Sequence, residues 1–326
     1  MTRFLSSRYF GLVILAAVVA VLPLFLPNSY YYDVAIKVGI NAVVVVGLNL
    51  LIGYAGQISL GHAGFLGLGA YGSGILVGSY GWSPLLALLV AAVAVGLLAF
   101  VVARPILRLK GHYLAMATLG LGIIITIVIS REDWLTGGPD GLSVPPMSVV
   151  GYELYSEKIW YWIVGALLVF AVWLARNLVD SPVGRALRAV HGSEVAAQVV
   201  GVDTAHSKVL VFVVSAVFAC VMGSVSAHYS GFITPSTADF FHSIELVTMV
   251  VLGGMASAYG PVIGAAILTV LPQLLSGFED YEMVVFGLVL MLTMIFMPRG
   301  LVPTLQAALA ARRRPYRKFV APGSEG

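Results

Sequence analysis

The 326-residue chain is 60% apolar and only 10% charged, with 18 Lys and Arg against 15 Asp and Glu. Soluble domains average about 25% charged residues, so this composition excludes a soluble enzyme or nucleic-acid-binding module and fits an all-α polytopic membrane protein. The polar intervals between apolar tracts are too short to build a hydrophobic core of their own. Residues 1–326 therefore read as a single transmembrane unit, and any energy-converting domain belongs on another chain.

Apolar tracts long enough to span recur at 9–26, 33–53, 59–80, 83–103, 112–130, 159–176, 208–228, 242–257, 259–276 and 282–298, each near the roughly 20 residues a bilayer requires. About ten helices are expected, or eight if the short spans on either side of Ala258 do not cross. The first follows Arg3 and Arg8 and exits through Leu-Phe-Leu-Pro-Asn-Ser-Tyr with no cleavage pattern, so it reads as an uncleaved helix. Ten glycines then fall between Gly53 and Gly81. In lipid, such a helix-weakening run requires packed protein or a wet cavity around it. Ala63, Gly67, Ala70, Gly74 and Gly78 keep the small-xxx-small spacing of close helix packing. Gln57, Ser59 and His62 sit among these glycines and are candidates for lining a path, with helix-to-helix hydrogen bonding as the competing role. The stretch reads as a full span, a broken helix or a re-entrant segment.

The loop 131–158 carries Gly137-Gly-Pro-Asp140-Gly, which suits either a tight external turn or a docking surface. In the loop 176–208, Ser181-Pro182 and Ser193 predict the starts of two short helices, and Gly201 a left-handed stop. Arg185 and Arg188 share one face, and Val195, Val199 and Val200 form an apolar patch. The pair reads as a docking element, with a lipid-interface helix pair as the alternative. Cys220 reads as apolar filler. Glu245 is the one acid within a predicted span, where an unpaired carboxylate costs about 2.5–3.5 kcal/mol; it, Thr248 and the Gly253-Gly254 pair are further path candidates. No His, Cys or carboxylate cluster suggests a metal site. The basic tail 299–326, with Arg312 to Lys318 at its centre, reads as an anchor to anionic lipid and is too short for nucleic acid.

With ten spans, 15 of the 18 Lys and Arg fall on one side, which the positive-inside rule makes cytoplasmic together with both termini. The acids Asp33, Glu132, Asp133, Asp140, Glu157 and Asp239 map to the other side. This segregation requires the Gly53 to Gly81 stretch to cross. Spans two to five and seven to ten enter from opposite sides, which suggests an inverted internal repeat.

Four blocks together resemble the LivM-like permease family, the membrane subunits of branched-chain amino-acid ABC importers: Gly47 to Tyr71, Leu135 to Leu142, Gly184 to Asp203 and Ser243 to Ala265. One departure is Ala256, where such permeases often have glycine. The resemblance implies a bacterial inner-membrane complex with a second permease subunit (LivH-like or a second copy), two ABC ATPase subunits and a periplasmic substrate-binding protein. It places ATPase coupling at Gly184, Arg185, Arg188, Glu194, Ala196, Ala197 and Gly201. The chain has no GxxxxGK[ST] phosphate loop, so ATP and its hydrolysis are expected on the partners, with no cofactor and no enzyme activity here. Substrate is expected to be Leu, Ile or Val, or alternatively urea, another amide or another amino acid. The rival from a different class is a self-contained secondary transporter or channel, which would call for a second ionisable residue within the membrane as a partner to Glu245, and the sequence shows none.

Overall fold

A computed structural model describes residues 10–149 and 152–275, with 284, 287–288, 291–292, 295–297 and 300–305 beyond them. Most of the expected span 282–298, and the basic tail from Arg312, lie outside the described residues. The helices are α1 (Phe10–Val21), α2 (Ser29–Asn49), α3 (His62–Gly78), α4 (Pro84–Ile106), α5 (His112–Arg131), the single turn α6 (Asp133–Thr136), α7 (Glu157–Asp180), α8 (Pro182–Gly192), α9 (Glu194–Val199), α10 (Thr204–Ser230), α11 (Phe240–Gly253) and α12 (Gly260–Leu275). Two-residue strands form two small antiparallel pairs, β1 (Leu142–Ser143) with β4 (Phe232–Ile233) and β2 (Ser148–Val149) with β3 (Tyr152–Glu153). The protein is thus all-α and polytopic, as its composition requires.

Five helical segments, Ser29–Tyr54, α4, α5, α7 and α10, are long and apolar enough to cross a membrane, and α11 and α12 are shorter apolar helices. α2 and α10 form the centre. α3 and α4 pack on α10, while α7, α11 and α12 pack on α2; α3 also touches α4 as α11 touches α12. Lipid tails are as apolar as leucine, so association in a bilayer depends on close contact rather than on water exclusion. Glycine supplies that contact: a Cβ on Gly69 would meet the Cys220 carbonyl oxygen, and one on Gly223 would meet that of Leu66. The α11–α12 crossing repeats the device, with Gly264 against the Met249 carbonyl and Gly253 against that of Gly260. Leu89, Val93, Leu97 and Val101 of α4 point outward, the expected lipid face.

The Gly53 to Gly81 stretch is a broken helix. α2 ends in a π-helical turn, Leu50–Tyr54, residues 56–61 are non-helical, and α3 begins only at His62. The segment before α11 is broken in the same way. Ala238 lies against Gly67, eleven residues before the C-terminal end of α3 and so about 16 Å inside it at 1.5 Å per residue. α11 therefore starts inside the bundle, and Glu245 lies deeper than its predicted place a few residues from the outer boundary. Lys110 and Lys208 meet Glu194 at one end, while β1 pairs with β4 and Tyr229 bonds Asp33 at the other.

Candidate functional site

The two broken segments meet in the middle of the bundle. The backbone N–H of Ala63, one of the donors left free at a helix start, donates to Ser243 Oγ in the first turn of α11 at 3.1 Å. Beside it, His62 Nδ1 lies 2.9 Å from Ser59 Oγ and Nε2 lies 2.7 Å from Ser215 Oγ on α10. A neutral imidazole has one donor and one acceptor nitrogen, and two hydroxyls complement it fully. Leu60 N donates to Thr118 Oγ1 on α5. Ser59, His62, Thr118, Ser215 and Ser243 are all buried, and Phe65 and Phe212 pack edge-on around the imidazole. Of the three polar candidates in this stretch, Ser59 and His62 belong to this closed knot. Gln57 lies outside it, donating only to the Ala55 carbonyl.

Above the knot, at the acid-rich end, two adjoining cavities open. The outer one, ≈ 570 Å³, is walled by Asp33, Lys37, Glu157, Trp160, His228 and their neighbours. The inner one, ≈ 330 Å³, is reached past Lys37, Ile40 and Ser226, common to both, and is lined by Asn41, Thr237, His242 and Thr269. Asn41 Nδ2 donates to Thr269 Oγ1, tying α2 to α12. Lys37 pairs with Asp33 at 2.8 Å, the i,i+4 pairing their spacing predicts. The fold gathers Glu157 of α7 and His228 of α10 around them, from two distant places in the chain.

Glu245 is one turn along α11 from this inner cavity. His242 Nδ1 lies 3.2 Å from its Oε2, so the expectation that it lacks an ionisable partner within the bundle is overturned. The predicted span began at residue 242 and left that histidine at a boundary, whereas α11 starts deeper. Glu245 is 38% exposed, and Phe241, Ile244 and Thr248 share its outward side. Thr248 Oγ1 is turned back onto the Ile244 carbonyl. A carboxylate on an open helix face within a membrane bundle requires water or another protein surface against it.

At the opposite end, Gly253 and Gly254 lead into the 254–259 turn. Asn49, buried on α2, holds this turn with both ends of its amide: Nδ2 donates to the Ser257 carbonyl and Oδ1 accepts from Ala256 N. Ala256 has φ +57°, a left-handed conformation that glycine adopts without strain, so the one departure from the family pattern falls where glycine has a physical advantage. A third cavity, ≈ 450 Å³, lies here between α2, α7, α8 and the turn, with Arg176, Arg188, His191 and Tyr259 in its wall.

The loop after α7 folds as its sequence predicts. Ser181 Oγ accepts from Gly184 N and Ser193 Oγ from Ala196 N, capping α8 and α9, and Gly201 has φ +83°. Gly184 packs against the Val179 carbonyl, to which Arg188 Nη2 also donates, so Arg188 ties α8 to α7 while Arg185 stays exposed. Ala197 is buried and Ala196 exposed; Val195, Val199 and Val200 are 65%, 83% and 76% exposed. Glu194 anchors the patch. It pairs with Lys208, itself buried in the first turn of α10, at 2.7 Å, and with Lys110 at 3.4 Å. Burial alone would raise the Glu194 carboxyl, but hydrogen bonding and charge from Lys208, reinforced by Lys110, outweigh it and hold the group below its usual range.

A family described as branched-chain amino acid transport system / permease component matches residues 30–294. The high-affinity branched-chain amino acid transport system permease protein LivM of Salmonella typhimurium is 33% identical over 268 residues, covering 74% of this chain and 62% of the relative. LivM of Escherichia coli is 31% identical over 264 residues with the same coverage, and LivH of that organism is 28% identical over 242 residues, 71% of this chain and 72% of its own. The match thus spans less than two thirds of the LivM relatives' length. No solved structure matches.

Proposed function

The chain belongs to the branched-chain amino acid transport permease family, and on that premise we propose that it is the membrane-spanning subunit of an ATP-driven importer of Leu, Ile or Val. Its partners are a second permease subunit, two ATPase subunits and an external binding protein, with ATP held and hydrolysed by the ATPases. Both termini face the cytoplasm, and the two broken halves form an inverted repeat in which α4 on α10 corresponds to α12 on α2. The open α11 face with Glu245 and Thr248 completes the path against the second permease subunit, and the His62 knot holds the path's wall rather than lining it.

The observation that carries this reading is the Lys110–Glu194–Lys208 anchor. It joins an exposed apolar patch outside the bundle to α10, the helix that also carries Ser215 of the knot and Ser226 of the vestibule. A push on α9 therefore reaches both, and a nucleotide-driven partner can shift the bundle between two states through that differential contact. The test is leucine uptake into proteoliposomes. Vanadate-sensitive, ATP-dependent uptake by the assembled complex is expected, and uptake by this chain alone on a proton or sodium gradient would refute the reading. The Glu245–His242 pair is what favours that gradient-driven alternative, since such pairs also serve in proton relays.

A further inference from the structure

We infer that the outer vestibule is itself a binding site for an amino-acid zwitterion, so that the permease holds its substrate between the binding protein and the midplane. This rests on the importer reading above and adds a location and a chemistry to it. A zwitterion presents ammonium donors and carboxylate acceptors a few ångströms apart, and the outer cavity offers both complements with capacity to spare. Lys37 carries three donors, and the pairing with Asp33 at 2.8 Å leaves it further donors for a carboxylate. Asp33 is saturated by comparison, since its other oxygen accepts from Tyr229 Oη at 2.7 Å. Glu157, in the first turn of α7, has no hydrogen bond or ion pair among the described residues, and it lines the same cavity. It is therefore the free acceptor for an ammonium.

A third polar group lies in the wall of the cavity with a nitrogen left unmatched. His228 is 3% exposed, its Nδ1 donates to the Pro145 carbonyl at 3.0 Å, and its Nε2 is left as a buried acceptor without a partner. Buried polar atoms left unmatched are uncommon and costly, and His228 is in the cavity wall. Ile40, Val144, Leu154 and Trp160 supply apolar surface beside these charges, suited to an aliphatic side chain. The volume, ≈ 570 Å³, falls in the range of roughly 300–1,000 Å³ usual for small-molecule sites. Past Lys37 and Ser226 the inner cavity continues toward His242, which gives the bound molecule a way onward.

The test uses the assembled complex in nanodiscs with Ser226→Cys, read by the mass of this chain, whose single native cysteine, Cys220, is buried. L-Leucine is expected to slow modification of the new thiol by a membrane-impermeant maleimide, saturably, whereas 4-methylpentanoate and 3-methylbutylamine, each lacking one charge, leave the rate unchanged. Glu157→Gln should raise the half-protecting leucine concentration roughly tenfold, the loss expected for one charge-assisted contact; Lys37→Gln should do the same and serves as the second variant should one fail to assemble. Absence of protection by leucine, or equal protection by 4-methylpentanoate, overturns the site. ATP-driven uptake measured on the same preparation separates the two ideas: protection without uptake keeps the site and removes the importer reading, and uptake without protection does the reverse.

Discussion

The knot around His62 and the vestibule above it hold polar groups of similar kinds, yet they differ in what those groups have left to offer. In the knot every buried polar side chain has a hydrogen-bond partner within the protein, and glycines bring the surrounding backbones into close contact. In the vestibule, Glu157 stands beside open space with no partner among the described residues, and the Nε2 of His228 in the wall is buried without one. The lesson is that a polar residue inside a membrane protein marks framework when it is satisfied and a passage when it is not; its polarity alone does not decide. Both regions hang on α10, so motion of that helix connects them.

The largest expected effect falls on the framework. Gly223→Leu forces α3 off α10 against the Leu66 carbonyl, and overpacking of this kind costs on the order of 3 kcal/mol; a thermal melt of the purified chain should show it, and a tolerated leucine would mean that this crossing is not close-packed. Next comes Glu194→Gln, which removes the counter-charge of the buried Lys208 at a cost of about 2 kcal/mol. Its signature is ATPase activity without matching uptake. Because the Glu194 carboxyl is held below its usual range, the anchor is fully present above that range and is lost only as pH falls through the depressed value; in a pH series of melts, Glu194→Gln should abolish this acid-side loss.

His62→Ala strands the Ser59 and Ser215 hydroxyls and should cost roughly 1–3 kcal/mol, while the half-saturating leucine concentration of the surviving complex stays unchanged. A shift in that concentration would move the knot into the path. The smallest effect is a gain: Ala256→Gly relieves the left-handed strain at the turn held by Asn49 and should stabilise by about 1 kcal/mol, visible as a higher melting temperature.

Much of this was legible from the sequence. Hydropathy and glycine punctuation located the apolar helices and the break between α2 and α3, and Ser181, Ser193 and Gly201 announced the helix caps and stop of α8 and α9, because these signals are local. The contacts that build the site are not local. Ser215 and Ser243 lie 153 and 180 residues from the groups they bind, and Asn49 reads as one more residue of an apolar helix until the 254–259 turn folds against it. Glu157 and His228 were likewise hidden, the first as an ordinary helix-start acid and the second as a residue near a helix end. His242 escapes notice for a different reason: a hydropathy window does not show that α11 starts inside the bundle.

The contrast between closed knot and open vestibule can be measured in one experiment, the modification of single cysteines at Ser215 and Ser226 by an impermeant maleimide in the assembled complex, at rest and during ATP turnover. The account predicts rapid modification of Ser226→Cys and none of Ser215→Cys in either condition. Labelling of Ser215→Cys that rises with turnover would put the knot in the path and contradict it.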